Sequence, residues 1–224
     1  ILQGKYFSYP DNFFQNHAYL KYISIGYEEG KITISNDTFK GCNELIEFTV
    51  TKAKKLTLKD NCFDKAQKLK IVKLASNIVE IESNCFKECQ SLEKFMITNS
   101  RTTTIQSNQF DKCTNLKQIS ICVSSDGNLQ HLFLKDKCFE NAVNLQSITF
   151  IGGDLNISAD LFNNNNTILP FKPFQKCFLQ HLFIYNAQSV CIQNGLFNKC
   201  QDLKTVFIES KELNINENCF NNNE

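Results

Sequence analysis

The sequence predicts an α/β, strand-rich solenoid, in which short coils stack one on another and each is laid down by one repeat of the chain. Three observations carry this. Phenylalanine recurs at Phe14, Phe39, Phe63, Phe86, Phe110, Phe139, Phe162, Phe197 and Phe220, at spacings of 25, 24, 23, 24, 29, 23, 35 and 23 residues. A small residue follows most of these three positions later, Leu follows six later, and an alternating apolar pair follows nine and eleven later. Composition agrees: 20 Phe with no Trp and only 8 Gly is the skew that one repeated aromatic core position would produce. A unit of this size cannot bury its own apolar face, so neighbours must stack.

Each coil is read from its Phe. Leu20, Leu45, Leu69, Leu92, Leu116, Leu145 and Leu203 close the first segment. The pairs Ile23/Ile25, Phe48/Val50, Val72/Leu74, Phe95/Ile97, Ile119/Ile121, Ile148/Phe150 and Val206/Ile208 alternate with polar residues and are β-branched or aromatic, which predicts a short strand with one buried face. A second alternating pair, such as Ile32/Ile34, Leu56/Leu58, Val79/Ile81 or Val190/Ile192, predicts a second strand on the opposite wall. The link into the next Phe is rich in Ser, Asn and Asp (Ser35-Asn36-Asp37, Asp60-Asn61, Ser83-Asn84, Ser107-Asn108). Such residues cap helix starts, so Phe-x-x-Cys-x-x-Leu is expected to form a short helical turn, with the Phe rings stacked into a spine. The whole is then about nine coils in one solenoid spanning 1–224, its first strands forming a parallel concave sheet.

Two coils are long. The one after Phe110 carries Ser124 to Asn128, and the one after Phe162 carries an irregular insertion within about 163–178, after which Leu179, Leu182 and Ile184 restore the phase. Phe7 and Tyr9 precede Phe14 as a second pair would, and the chain stops four residues past Phe220. Both ends therefore fall inside a coil, and a longer array, or ends covered by partners or by oligomerisation, is expected.

Cysteine is abundant, at 11. Cys42, Cys89, Cys113 and Cys200 fall three residues after a repeat Phe, where Ala66 and Ala142 stand in other coils. Cys62, Cys85, Cys138 and Cys219 fall immediately before one. Exchange with Ala points to small buried slots and two ladders of inert thiols. Cys122, Cys177 and Cys191 lie outside the ladders and are the candidates for reactivity or pairing.

The skeleton Phe-x-x-Cys-x-x-Leu-x-x-Ile-x-Ile, plainest at Phe39-Cys42-Leu45, Phe86-Cys89-Leu92, Phe110-Cys113-Leu116 and Phe197-Cys200-Leu203, resembles the BspA-type leucine-rich repeats over about residues 7–220. Members of that family are surface or secreted proteins of some bacteria and of protozoa such as Trichomonas, associated with adhesion to host cells or matrix. The resemblance implies a recognition or adhesion module at the cell surface or secreted, with a protein or glycan ligand. An intracellular scaffold or regulatory repeat protein is the alternative.

Chemistry of other kinds finds little footing. A net charge of +1 without any run of like charge gives no footprint for nucleic acid or anionic membrane. No apolar run approaches 18 residues, so no membrane insertion of this segment is expected. His17, His131 and His181 sit in different coils without a triad partner, and His17 occupies a small-residue slot where a core or capping role is expected. Cys85-x-x-x-Cys89 has no matching pair to complete a metal site. The reading is therefore no enzyme, no catalytic residue, no metal and no cofactor. Asn-x-Ser/Thr triplets at Asn36, Asn156 and Asn165 are as many as chance supplies in so Asn-rich a chain.

The outward face of the first strands remains. Its early positions, such as Ser24, Thr49, Lys73, Met96 and Ser120, are mostly small or polar. Its last coils present Ile151, His181, Phe183, Tyr185, Phe207 and Glu209 together, and these are the candidate ligand-binding residues, since contiguous exposed aromatics anchor protein interfaces. The competing expectation is that the 163–178 insertion or further coils cover them.

Overall fold

The computed structural model describes residues 6–8, 10–106, 108–123, 131–134, 139, 142–152, 154–157, 179–192, 197, 200–217 and 219–220. Both insertions, Phe162, Cys138, Cys177 and Asn165 lie outside these residues.

The described residues form a parallel-stranded solenoid of thirteen strands in one continuous sheet: β1 (Tyr6–Ser8), β2 (Tyr22–Ile34), β3 (Glu47–Leu58), β4 (Ile71–Ala75), β5 (Ile78–Ile81), β6 (Lys94–Ser100), β7 (Thr102–Ile105), β8 (Gln118–Val123), β9 (His131–Leu134), β10 (Ser147–Ile151), β11 (Asp154–Ile157), β12 (His181–Ile192) and β13 (Thr205–Ile215). The first wall runs β2-β3-β4-β6-β8-β10-β12-β13, and the second runs β1-β2-β3-β5-β7-β9-β11-β12-β13. The long strands β2, β3, β12 and β13 belong to both walls, so the sheet folds over at each end while the middle coils break into two strands.

Register follows the apolar pairs. Ile23, Phe48, Val72, Phe95, Ile119, Ile148, Leu182 and Val206 are successive partners on the first wall. A slip of one residue would turn every one of them to solvent, so burial pins the stack. On the second wall Ile32, Leu56, Val79, Thr103 and Leu132 align likewise. Thr103 is buried without orphaning its hydroxyl, which donates to Ser100 Oγ at 2.9 Å.

The Phe spine forms. Phe14, Phe39, Phe63, Phe86, Phe110 and Phe139 stack at centroid separations of 5.3, 5.2, 5.4, 5.8 and 5.9 Å, and Phe197 stacks on Phe220 at 5.0 Å. Phe48 and Phe95 pack edge-on against it from the first wall, which is the pairing the ring quadrupole favours.

The helical turn does not. Among the described residues no helix occurs, and each Phe segment is a chain of turns closed by three-residue bonds, such as Cys42 N to Phe39 O at 3.1 Å and Leu45 N to Cys42 O at 3.0 Å. The reason is backbone handedness. Two residues before Phe stand Asn12, Asp37, Asn61, Asn84 and Asn108, with φ of 62, 53, 56, 55 and 58°. Two residues after it stand Asn16, Gly41, Lys65, Glu88 and Lys112, also at positive φ. Left-handed residues at this spacing forbid a right-handed helix. The Asn and Asp residues are thus there because they tolerate the left-handed region, and do not act as helix caps.

This geometry sends alternate N–H groups out of the coil. Phe14, Phe39 and Phe63 donate to the carbonyls of Thr38, Cys62 and Cys85 in the next coil at 2.9, 2.7 and 2.9 Å. A helix would have satisfied those donors within its own coil; here they tie neighbouring coils into a third wall.

The cysteine slots gain a second explanation from the same geometry. Cys42, Cys89 and Cys113 donate their thiols to the carbonyls of Phe14, Phe63 and Phe86 in the preceding coil at 2.9, 3.1 and 3.0 Å. Before the Phe, Cys85 and Cys219 donate to the carbonyls of Glu82 and Asn216, as the Thr38 hydroxyl does to that of Ser35. Gln109 fills the same slot and bridges the Glu82 carbonyl and the Cys85 amide. The slot before the Phe thus takes a side-chain donor, Thr38, Cys85, Gln109 or Cys219, and the slot after it a small residue, a thiol donor at Cys42, Cys89 and Cys113 and alanine at Ala66 and Ala142. His17 is the exception to the core expectation: it is exposed, and its Nδ1 accepts the Tyr19 amide at 3.4 Å.

Candidate interaction surface

The outward residues of the first wall form columns one residue wide, because side chains alternate across each strand and neighbouring coils are in register. On β10 these residues are Ser147, Thr149 and Ile151; on β12 they are His181, Phe183 and Tyr185; on β13 they are Thr205, Phe207 and Glu209. Thr149, Phe183 and Phe207 are direct partners across three strands, as are Ser147, His181 and Thr205.

The rings form a continuous row. His181 and Phe183 lie 5.9 Å apart at 13°, Phe183 and Tyr185 lie 6.1 Å apart at 10°, and Tyr185 meets Phe207 at 5.1 Å and 37°. His181, Phe183, Tyr185 and Ile151 are half-buried, Phe207 is 44% exposed, and Glu209 is exposed. All six sequence-predicted residues thus fall on one face; Ile151 joins the rings by pairing with Tyr185. His131, by contrast, lies on the second wall.

Where β12 meets β13 the ladder slips. Ile184 pairs with Ile208, but the next partners are Ala187 and Ser210. Tyr185 and Asn186 together therefore face Glu209, with Asn186 at φ 53°. A bulge of this kind re-aims the side chains beside it. The sequence carries its signal: five residues lie between Ile184 and Val190, against four between Ile208 and Leu213.

The early coils of the same wall are different chemically. Lys73 donates to Glu47 Oε1 at 2.8 Å, and the Thr49 hydroxyl donates to the same oxygen at 3.0 Å. The Lys73 bond, ahead of the opposing effect of burial, holds the Glu47 carboxyl below its usual range. Those two outward charges neutralise each other between coils.

The thiol ladders are chemically quiet. Burial pushes Cys42 up and Cys62, Cys89 and Cys113 far above the usual thiol range, so none offers a thiolate. The nine described cysteines are thiols, with Cys122 and Cys191 half-buried and the other seven buried. Among the described residues no group of three His, Cys, Asp or Glu could hold a metal ion, and no helix is long and apolar enough to cross a membrane.

A parallel solenoid with a leucine in each described coil and an asparagine-turned third wall defines a leucine-rich-repeat protein. The family model for the BspA type leucine rich repeat region matches in six copies over residues 8–126, 32–169 and 169–224, and the chain belongs to that family. A crystal structure of a leucine-rich repeat protein from Bacteroides ovatus is similar at 17% identity, covering 94% of this chain and 74% of that one with a TM-score of 0.31. No curated protein matches the chain.

Proposed function

We propose that this chain is a non-enzymatic recognition module that binds a protein ligand through the outward face of its first wall, centred on Phe183 and Phe207. One observation carries the reading: a row of stacked rings runs from His181 through Phe183 and Tyr185 to Phe207, whereas the earlier coils of the same face place their outward apolar residues singly, as at Tyr22, Ile71 and Met96. Apolar aromatic centres with hydroxyl-bearing rims, here Ser147, Thr149 and Thr205, match the anatomy of protein interfaces. Membership of a leucine-rich-repeat family, whose solenoids typically serve protein interaction, supports it. In this reading the chain is one solenoid of about nine coils, set at the cell surface or secreted. Its ligand belongs to another cell or to a matrix, with glycan as the variant, and nucleic acid and membrane insertion have no part. An intracellular scaffold is the second reading, favoured by the thiol state of all nine described cysteines.

The test is peptide selection against the intact chain, followed by rebinding to Phe183→Asp/Phe207→Asp and to Met96→Asp, an outward position of an early coil. Loss of binding only in the double variant, with the circular dichroism and melting temperature of both kept within a few degrees of wild type, is the expected result. Ligands that bind the double variant unchanged overturn the assignment.

A further inference from the structure

The corner of the patch where the bulge lies has a chemistry of its own. Tyr185 and Phe207 meet at 37° and so leave a wedge between ring faces, and Glu209 follows on the same strand face, two residues after Phe207 and opposite Tyr185 and Asn186 in register. Its carboxylate is exposed, and among the described residues no cation pairs with it; Lys204 donates instead to Gln180 Oε1 at 3.4 Å. Glu47 and Glu80 on earlier strands are, by contrast, each matched by a lysine of the adjacent coil, Lys73 and Lys55, both at 2.8 Å. An unmatched carboxylate on the same strand face as two meeting rings combines the two attractions that hold an organic cation, the negative ring face and a formal charge.

We propose that Tyr185, Phe207 and Glu209 form a subsite for a guanidinium or ammonium group, so that the protein ligand places an arginine or lysine there. Planar guanidinium fits better than ammonium, because it can lie on a ring face while donating two N–H bonds to one carboxylate. The inference rests on the binding surface proposed above and names the chemistry at one end of it. Charge complementarity selects the occupant: an apolar or acidic side chain placed there would leave Glu209 unmatched or repelled.

The experiment is an NMR titration of the intact chain with N-acetyl-arginine methylamide, and with its neutral isostere N-acetyl-citrulline methylamide. Saturable shifts at the amides of Tyr185, Phe207 and Glu209 are expected, with the arginine probe favoured by about two- to fivefold, the worth of a cation–π contact at an exposed site. Glu209→Gln should erase that preference and Phe207→Leu should weaken binding of the arginine probe, while Glu217→Gln, an exposed acid elsewhere on the last coil, should leave both unchanged. Equal response to the two probes, shifts confined to other coils, or indifference to Glu209→Gln overturns the subsite. Failure here is distinguishable from failure of the surface. Selected peptides that are lost on Phe183→Asp/Phe207→Asp but ignore Glu209→Gln overturn the cation subsite alone; peptides that ignore both overturn the surface.

Discussion

The coils from Phe39 to Phe110 and those from Ile148 to Ile215 share an inner pattern and differ on the outside. Inside, the same register holds: Phe48 over Val72 over Phe95 in one region, Ile148 over Leu182 over Val206 in the other. Outside, the first region carries Thr49, Met96 and Lys73, the last matched to Glu47 of the adjacent coil, and the second carries stacked rings and the unmatched Glu209. Depth differs as well: Phe63 and Phe86 are fully buried between neighbours, whereas Phe220 is 40% exposed, with Leu213 and Ile215 near one half. In a solenoid the inward positions answer to the neighbouring coil and the outward positions are released for recognition, so the two faces of one strand vary separately.

Three perturbations sharpen that contrast. The largest concerns the spine. Phe63→Ala removes a ring packed against Phe39, Phe48 and Phe86 and should lower unfolding free energy by about 3–5 kcal/mol, while Phe220→Ala, half exposed and stacked on Phe197, should cost well under half of that. Chemical denaturation measures both, and equal losses would mean that burial depth is not what separates the regions. Next is the third wall. Asn84 holds φ at 55°, so Asn84→Ala should cost about 1 kcal/mol or more, while Asn84→Gly should be near neutral. Equal costs for Ala and Gly would show that the side-chain amide, rather than the backbone conformation, is what matters there. The smallest effect is kinetic: in native protein a water-soluble thiol reagent should label Cys122 and Cys191 well before Cys62, Cys85, Cys89 or Cys113, all buried, three of them with the thiol pushed far above its usual range. Peptide mapping after brief labelling reads the order, and early labelling of Cys89 would show that the ladder opens without global unfolding.

Much of this was readable from letter spacing. The anchors Phe14 to Phe139 predict the spine, and pairs such as Val72/Leu74 and Phe95/Ile97 predict the first wall residue for residue. The candidate patch was readable for the same reason, since fixing the inward letters identifies His181, Phe183 and Phe207 as outward ones. The helical turn was misread because Asn and Asp favour two different backbone states. They cap helix starts and they also occupy the left-handed region, and composition does not distinguish these. Just after the second strand Lys59, Glu82 and Gln106 stand without positive φ, and each donates its amide to the preceding coil.

By itself, then, the sequence determined the repeat, the two strands of each coil, which letters turn inward and which six residues share a face, because hydrophobic period and register are local properties repeated along the chain. Only the tertiary structure decided what the Asn-rich links become, where the small thiols donate, and how Tyr185, Asn186 and Glu209 meet across a bulge. Those outcomes depend on the hydrogen bonds one coil offers the next, and such bonds exist only once the coils are stacked.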